Sequence, residues 1–422
     1  MSYFYVIKVR KTRVMCHYTK TLKYNMKLFD IEEEKIGQET EEDINGLNKD
    51  NFSDAVLWST DWTTETIISQ LKKGNIELSP NFQRRDAWGS DRKSKFIESI
   101  VLGLPIPQII LAERKDKRGS YIVIDGKQRL LSIRQFCVTE DNDIFEPLKL
   151  TGLKILNDLN TLKYSELNVQ DKFSKYISAF ENQPIRTVII RNWPNQNFLY
   201  TVFLRLNTGS LPLSPQELRQ ALNPGSFTSF ADSFSAETSQ IKDALRIKKP
   251  DYRMRDVEVV VRYFAFKNYI EKYTGNLKDF LDTTCENLNK EFDKDNTKII
   301  TQSKDLISAI DTTFKIFGEN AFNKYSDGEY TGVFNRPVFD IMTYFFSIPE
   351  IRDEAIKKPV EVVSLFESLC TNDVEFLKSL ETSTKNVEPT GKRYFEWGKG
   401  LKTVLKKEMK IPQRTNEGIR LV

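Results

Sequence analysis

Histidine is almost absent from this chain of 422 residues: His17 is the only one. A serine triad, a HExxH protease and a histidine-metal nuclease each need histidine inside a folded core. His17 lies instead in a highly charged segment near the N-terminus and reads as incidental. Cysteine is scarce too. Cys16, Cys137, Cys285 and Cys370 stand far apart and form no CxxC pair, which argues against both a zinc site and a disulfide framework. No apolar run approaches the roughly 20 residues that span a bilayer. In the opening stretch MSYFYVIKVRKTR the basic residues follow the apolar piece, the reverse of a secretory signal. The expected location is therefore the cytoplasm, without a membrane partner.

At 39% hydrophobic and 12% aromatic the chain can build substantial cores. Its net charge of +4 is too small to imply a nucleic-acid partner by itself. The distribution is more informative. Lys8, Arg10, Lys11, Arg13, Lys20, Lys23 and Lys27 precede the first acidic residue, Asp30, and an acidic stretch then runs to Asp54. Such blocks are commonly solvated tails, and a basic arm on nucleic acid is the other reading. Met26 is an alternative start, which would make the arm an artefact of gene calling.

Order is expected from about Trp58. Thr63 or Thr64 can cap a helix carrying Ile67, Ile68 and Leu71, and Gly74 stops it. "NFQRR" reads as an extended loop. Ser90 can cap the next helix, whose apolar face is Phe96, Ile97, Ile100, Val101 and Leu104. "QIILA", "SYIVI" and "IRTVII" read as three short strands, and residues 140–182 carry only weak helical signals. "NQNFLYTVFLRL" reads as a helix broken at Asn207. In "LSPQELRQAL", Ser214, Pro215 and Glu217 make a capping box with proline at the first helical position. Beyond about residue 240 the pattern is helix and loop. The expected architecture is a charged segment over 1–54, an α+β domain over 55–240 and an all-helical domain over 241–422.

Chemistry concentrates at "YIVIDGKQRLLSI", Tyr121–Ile133. A β-branched strand gives way to a helix at Asp125-Gly126. Gly126 permits a tight turn and close approach of a ligand, and the helix start offers N–H groups and a positive dipole end to an anion. Lys127 and Arg129 add charge, Gln128 can position a water or read a base edge, and Asp125 can orient an arginine or hold Mg²⁺. A purely structural Asp–Arg ion pair explains these residues about as well when they are taken alone. Two further clusters favour a shared anionic pocket: Gln83, Arg84 and Arg85 before a helix, and Arg205 with Asn207 at a helix end. A nucleoside triphosphate rewards that many convergent donors.

Five motifs occur in order: "PNFQRRDAW", "KFIESIVLGLPIPQIILAE", "YIVIDGKQRLLSI", "FLRLNTGSLPLSPQELRQAL" and "MRDVEVVVRYFAF". Over roughly Trp58 to Tyr273 they resemble the N-terminal domain of GmrSD-type restriction endonucleases, a relative of the ParB and sulfiredoxin fold. The resemblance implies a ParB/sulfiredoxin-like mixed sheet and a component of a modification-dependent restriction or anti-phage system. It also implies an Asp-Gly-Gln-Gln-Arg motif that binds and hydrolyses nucleotide. On that reading Asp125, Gln128 and Arg129 are the catalytic candidates, with Asp125 on Mg²⁺. Gln83, Arg84, Arg85, Gly126, Lys127, Arg205 and Asn207 complete the nucleotide pocket, the loop of Arg84 and Arg85 resembling the first arginine box of CTP-binding ParB relatives. Lys127 replaces the first glutamine of the motif. It can still meet a phosphate, and it leaves hydrolysis open. Residues 274–422 hold no histidine, so the His-Asn-His nuclease domain of family systems is not expected there. DNA and a separate nuclease subunit are the expected partners, with room for an oligomer. The alternatives are a ParB-like DNA-binding adaptor without turnover, and a weak ParB-like nuclease.

Overall fold

The computed structural model describes residues 55–78, 85–139, 143–206, 214–381, 385–416 and 418–422. The front of the molecule is built on a mixed four-stranded sheet. Its strands are β1 (Val56–Thr63), β2 (Ile109–Glu113), β3 (Tyr121–Asp125) and β4 (Pro184–Arg191), in the spatial order β1-β4-β2-β3. β1 and β4 are antiparallel, β4 and β2 parallel, and β2 and β3 antiparallel. Helices α1 (Thr64–Lys72), α2 (Ser90–Val101), α3 (Lys127–Phe136), α4 (Tyr164–Asn168) and α5 (Ser174–Asn182) belong to this unit, as do α6 (Gln196–Leu206) and α7 (Pro215–Leu222).

Both faces of the sheet are covered, which explains why its central strands read as continuous apolar runs. Alternation along the strand divides the side chains between two cores. Ile109, Leu111, Tyr121 and Val123 pack with Ile67, Ile97, Leu130 and Phe180 on one face. Ile110, Ala112, Ile122 and Ile124 pack with Phe198, Leu199, Phe203 and Leu218 on the other. α3 therefore returns across one face while α6 and α7 cover the other.

Local signals set several element starts. Thr63 caps α1, its side chain accepting from the Thr66 amide. Ser214 and Glu217 form a reciprocal capping box at α7, with Pro215 in the first turn. α2 differs from the expectation: Gly89 is its N-cap and Ser90 is already helical. β1 was not anticipated either. VLWSTDWT alternates poorly, and Val56, Leu57 and Trp58 are exposed. It becomes a strand by pairing in full register with β4, a partner far away in sequence.

The remainder is helical: α8 (Ser226–Glu237), α9 (Ser239–Ala244), α10 (Arg255–Tyr269), α11 (Leu277–Lys294) and α12 (Thr297–Phe317), then α13 (Arg336–Phe346), α14 (Pro349–Lys357), α15 (Pro359–Asn372), α16 (Val374–Glu381) and α17 (Val387–Leu405). α10 and α13 form its centre. Every residue of α13 is buried, as are Val257, Val259, Val260, Val261, Phe264 and Phe266 of α10. A helix apolar all round must be enclosed, and its charges must be paired. Arg262 donates from Nε to Asp340 Oδ1 at 3.0 Å, and Arg336 from Nε to Glu258 Oε1 at 2.9 Å. Two small hairpins interrupt the helices, β5–β6 (Asn323–Ser326 with Glu329–Phe334) and β7–β8 (Pro412–Thr415 with Gly418–Leu421). The first turns on Asp327-Gly328, both at positive φ, which is the strongest short-range hairpin signal a sequence carries. Phe227 and Ala231 of α8 pack in this helical core with Val257 and Phe264.

Candidate functional site

The strand-to-helix turn forms where the motif placed it. β3 ends at Asp125, Gly126 adopts φ 100°, and α3 begins at Lys127 with no side chain capping it. Two constraints require glycine here. The left-handed backbone is one. Space is the other, because a Cβ would stand 3.2 Å from Ile109 Cγ1 and 3.3 Å from Arg129 Nε. The guanidinium of Arg129 thus lies across the turn. It donates from Nη2 to Asp125 Oδ2 at 2.6 Å, so Asp125 holds an arginine here, one of the two roles its position allowed. Arg129 is 7% exposed, and its Nε has no hydrogen-bond partner among the described residues. The Oε1 of Gln128, on the preceding residue, is equally unpartnered among the described residues.

Lys127 runs the other way. Its Nζ meets Glu217 Oε1 at 2.6 Å, with both side chains buried. The other oxygen of Glu217 accepts from the Ser214 amide at 2.7 Å. One carboxylate therefore closes the capping box of α7 and neutralises the first residue of α3.

Arg85 is placed differently from a phosphate ligand. It is 1% exposed, and carboxylates enclose its guanidinium. Nε donates to Asp232 Oδ1 at 2.7 Å, Nη1 to Asp256 Oδ1 at 2.6 Å and to the Asp251 carbonyl at 2.8 Å, and Nη2 to Ser235 Oγ at 3.0 Å. Burial opposes the charge on Arg85, but Asp256 and Asp232 more than offset it, holding the guanidinium above its ordinary pKa. Burial raises the Asp256 carboxyl, against the pull of Arg85. Arg85 is thereby tied to α8 and to the start of α10, and its partner Asp232 lines the same cleft as Lys127. Arg205 is exposed on the last turn of α6. Gln83, Arg84 and Asn207 lie outside the described residues.

Residues 64–223 match the family model for the GmrSD restriction endonuclease, N-terminal domain. This stretch is a GmrSD N-terminal domain. It runs from the first residue of α1 to the residue after α7. β1, which pairs with β4, lies outside the matched range, and so do Asp232 and Asp256, which hold Arg85. No curated protein and no solved structure matches the chain.

Lys127 is the residue of the turn that lines a neighbouring cleft of about 800 Å³, counting space continuous with solvent. Lys127 and Glu217 form part of its wall, with Arg114, Val123, Gln220 and, from beyond the domain, Thr228. Gln220 Nε2 donates to the Thr228 carbonyl at 3.0 Å, while its Oε1 lacks a partner among the described residues. The sequence puts Glu217 just after the Arg205–Asn207 cluster but gives it no role in the site, although the capping box already marks it as fixed in space. It also passed over Lys93. That residue donates from Nζ to Gln135 Oε1 at 2.6 Å and pairs with Asp86, and burial lowers its pKa to about 8. No signal local to Lys93 shows that its helix turns it inward. Among the described residues no group of three or more His, Cys, Asp or Glu side chains is arranged to hold a metal ion, and no helix is long and apolar enough to cross a membrane.

Proposed function

We propose that this chain is the nucleoside-triphosphate-binding component of a restriction or anti-phage system, with the phosphates held at the Gly126 turn. The GmrSD N-terminal domain supports the system. One observation carries the nucleotide. The start of α3 is uncapped, and a buried arginine with an unpartnered Nε lies across it. A buried N–H without an acceptor is costly, and a phosphate oxygen satisfies it together with the helix-start amides. Lys127 and Arg129 supply charge and Gln128 Oε1 can accept from a water. Asp125 is the carboxylate of the turn itself and is shared with Arg129, while Glu217 meets Lys127 beside it. That donor set suits Mg²⁺ arriving on the phosphates and keeping several waters, rather than a cage made by the protein alone. Mg²⁺ would there neutralise phosphate charge. DNA is the target of such a system, and because residues 274–422 hold no histidine this stretch is not assigned the cutting; a separate nuclease subunit is the proposed partner.

The test is titration of ATP, GTP and CTP with Mg²⁺ into the wild type and Arg129→Ala, with phosphate release followed in parallel. The wild type is expected to bind at least one of them. The variant should bind roughly ten- to a hundredfold more weakly, the range for losing a charged hydrogen bond. Binding without release would make the turn a switch rather than a catalyst. No binding of any of the three by the wild type refutes the proposal.

A further inference from the structure

Glu217 occupies the place that an incoming phosphate must contest. It sits 2.6 Å from Lys127 Nζ, and both groups are buried in the wall of the cleft beside the turn. Its second oxygen holds the Ser214 amide at 2.7 Å, and the Ser214 hydroxyl caps the Glu217 amide at 3.1 Å. The same hydroxyl donates to the Arg253 carbonyl at 2.5 Å. Two residues later α10 begins, the buried centre of the helical core. An unbroken series of short contacts thus runs from the first residue of α3, through one carboxylate and one hydroxyl, to the chain entering that helix.

We propose that Glu217 is a built-in counter-anion of the phosphate site: an arriving triphosphate takes Lys127 from it, and the released carboxylate opens the start of α7 and its tie to Arg253. The inference rests on the phosphate reading above. The physical argument is that a buried carboxylate is tolerated only while paired. A phosphate bound to Lys127 removes that pairing and adds a like charge beside Glu217. The carboxylate then has reason to turn toward solvent through the open cleft. Turning breaks its bond to the Ser214 amide, which is half of the capping box. Binding at the turn is thereby reported at the entry to the helical core, and a two-state element biased by ligand is what a switch requires. Arg85 does not move in this scheme. Its four partners hold it to α8 and to the chain leading into α10, and the displacement proposed here lies in the segment around Ser214.

The experiment compares wild type with Glu217→Gln, using inorganic triphosphate and the nucleotide that binds best. Glutamine keeps an acceptor for the Ser214 amide and removes the competing charge. Glu217→Gln should bind both ligands about tenfold or more tightly, because no ion pair has to be broken first. Hydrogen exchange on the wild type supplies a readout that needs no variant. Triphosphate should speed exchange of the amides of residues 214–218, and the effect should be blunted in Glu217→Gln. Equal or weaker binding by Glu217→Gln overturns the proposal while leaving the phosphate site intact, since Glu217 would then be positioning Lys127 rather than competing with the ligand. Binding by the wild type without any change in exchange at residues 214–218 overturns it as well. If the wild type binds neither triphosphate nor nucleotide, the phosphate reading fails and this inference fails with it.

Discussion

Replacing Arg85 by alanine separates a structural from a ligand-binding role for the "NFQRR" loop. The wild-type guanidinium makes short bonds to Asp232, Asp256, the Asp251 carbonyl and Ser235, all of them buried. The alanine variant leaves two carboxylates buried without their cation. Breaking a buried pair in this way costs about 3–5 kcal/mol, which corresponds to a fall in thermal midpoint of roughly 6–20 °C for a cooperative unit of about 150–250 residues. Urea and thermal unfolding followed by tryptophan fluorescence would measure it. The pH dependence has a definite sign. Burial already raises the folded-state pKa of Asp256, and loss of Arg85 removes the main opposing influence. A carboxyl whose pKa is raised in the folded state penalises folding increasingly as pH climbs from its unfolded to its folded pKa, and not at all once pH is below the unfolded value. The gap between variant and wild type should therefore narrow as pH falls from neutral into the acid range. Arg85→Lys should not rescue, because an ammonium cannot span the same fork of acceptors. A triple variant with methionine at 85 and leucine at 232 and 256 should be far less damaged than Arg85→Ala. Unchanged stability of Arg85→Ala with loss of nucleotide binding would refute this assignment and return Arg85 to the phosphate site.

Gly126→Ala should lower stability by about 1–3 kcal/mol, because it forces alanine to φ 100° and presses a methyl group toward Ile109 and Arg129. It should also weaken nucleotide binding, as judged by the same titration, whereas a loss of binding without any stability change would contradict the strained-turn account. In the helical core, Gly398→Ala would put a Cβ 2.6 Å from Phe345 Cζ and 2.8 Å from Ile411 Cγ2. Overpacking of that kind should cost about 1–3 kcal/mol in a urea titration, with nucleotide affinity at the distant turn unaffected.

Much of the front domain was legible because its signals are local. The Ser214–Glu217 box, the Gly126 turn and the apolar runs of β2, β3 and β4 each specify themselves over a few residues. Asp327-Gly328 carried an equally local hairpin signal that the helical pattern around it obscured. β1 was a different matter. Its residues alternate weakly, and only pairing with β4 makes them a strand.

The sequence by itself determined the turn and its chemistry: a glycine that must adopt positive φ, a helix start without a cap, and basic side chains at fixed offsets from both. Which charges remain available to a ligand was decided only by tertiary structure, because an ion pair depends on who arrives from elsewhere in the chain. Asp125 and Arg129 stand four residues apart across the strand-to-helix turn, and that pairing could be read directly. Lys127 meets Glu217 across ninety positions of sequence, and Arg85 finds Asp232 and Asp256 still further away. Spacing in sequence contains no record of such encounters. Burial then makes them strong, since a cation removed from water must take whichever carboxylate the fold brings to it.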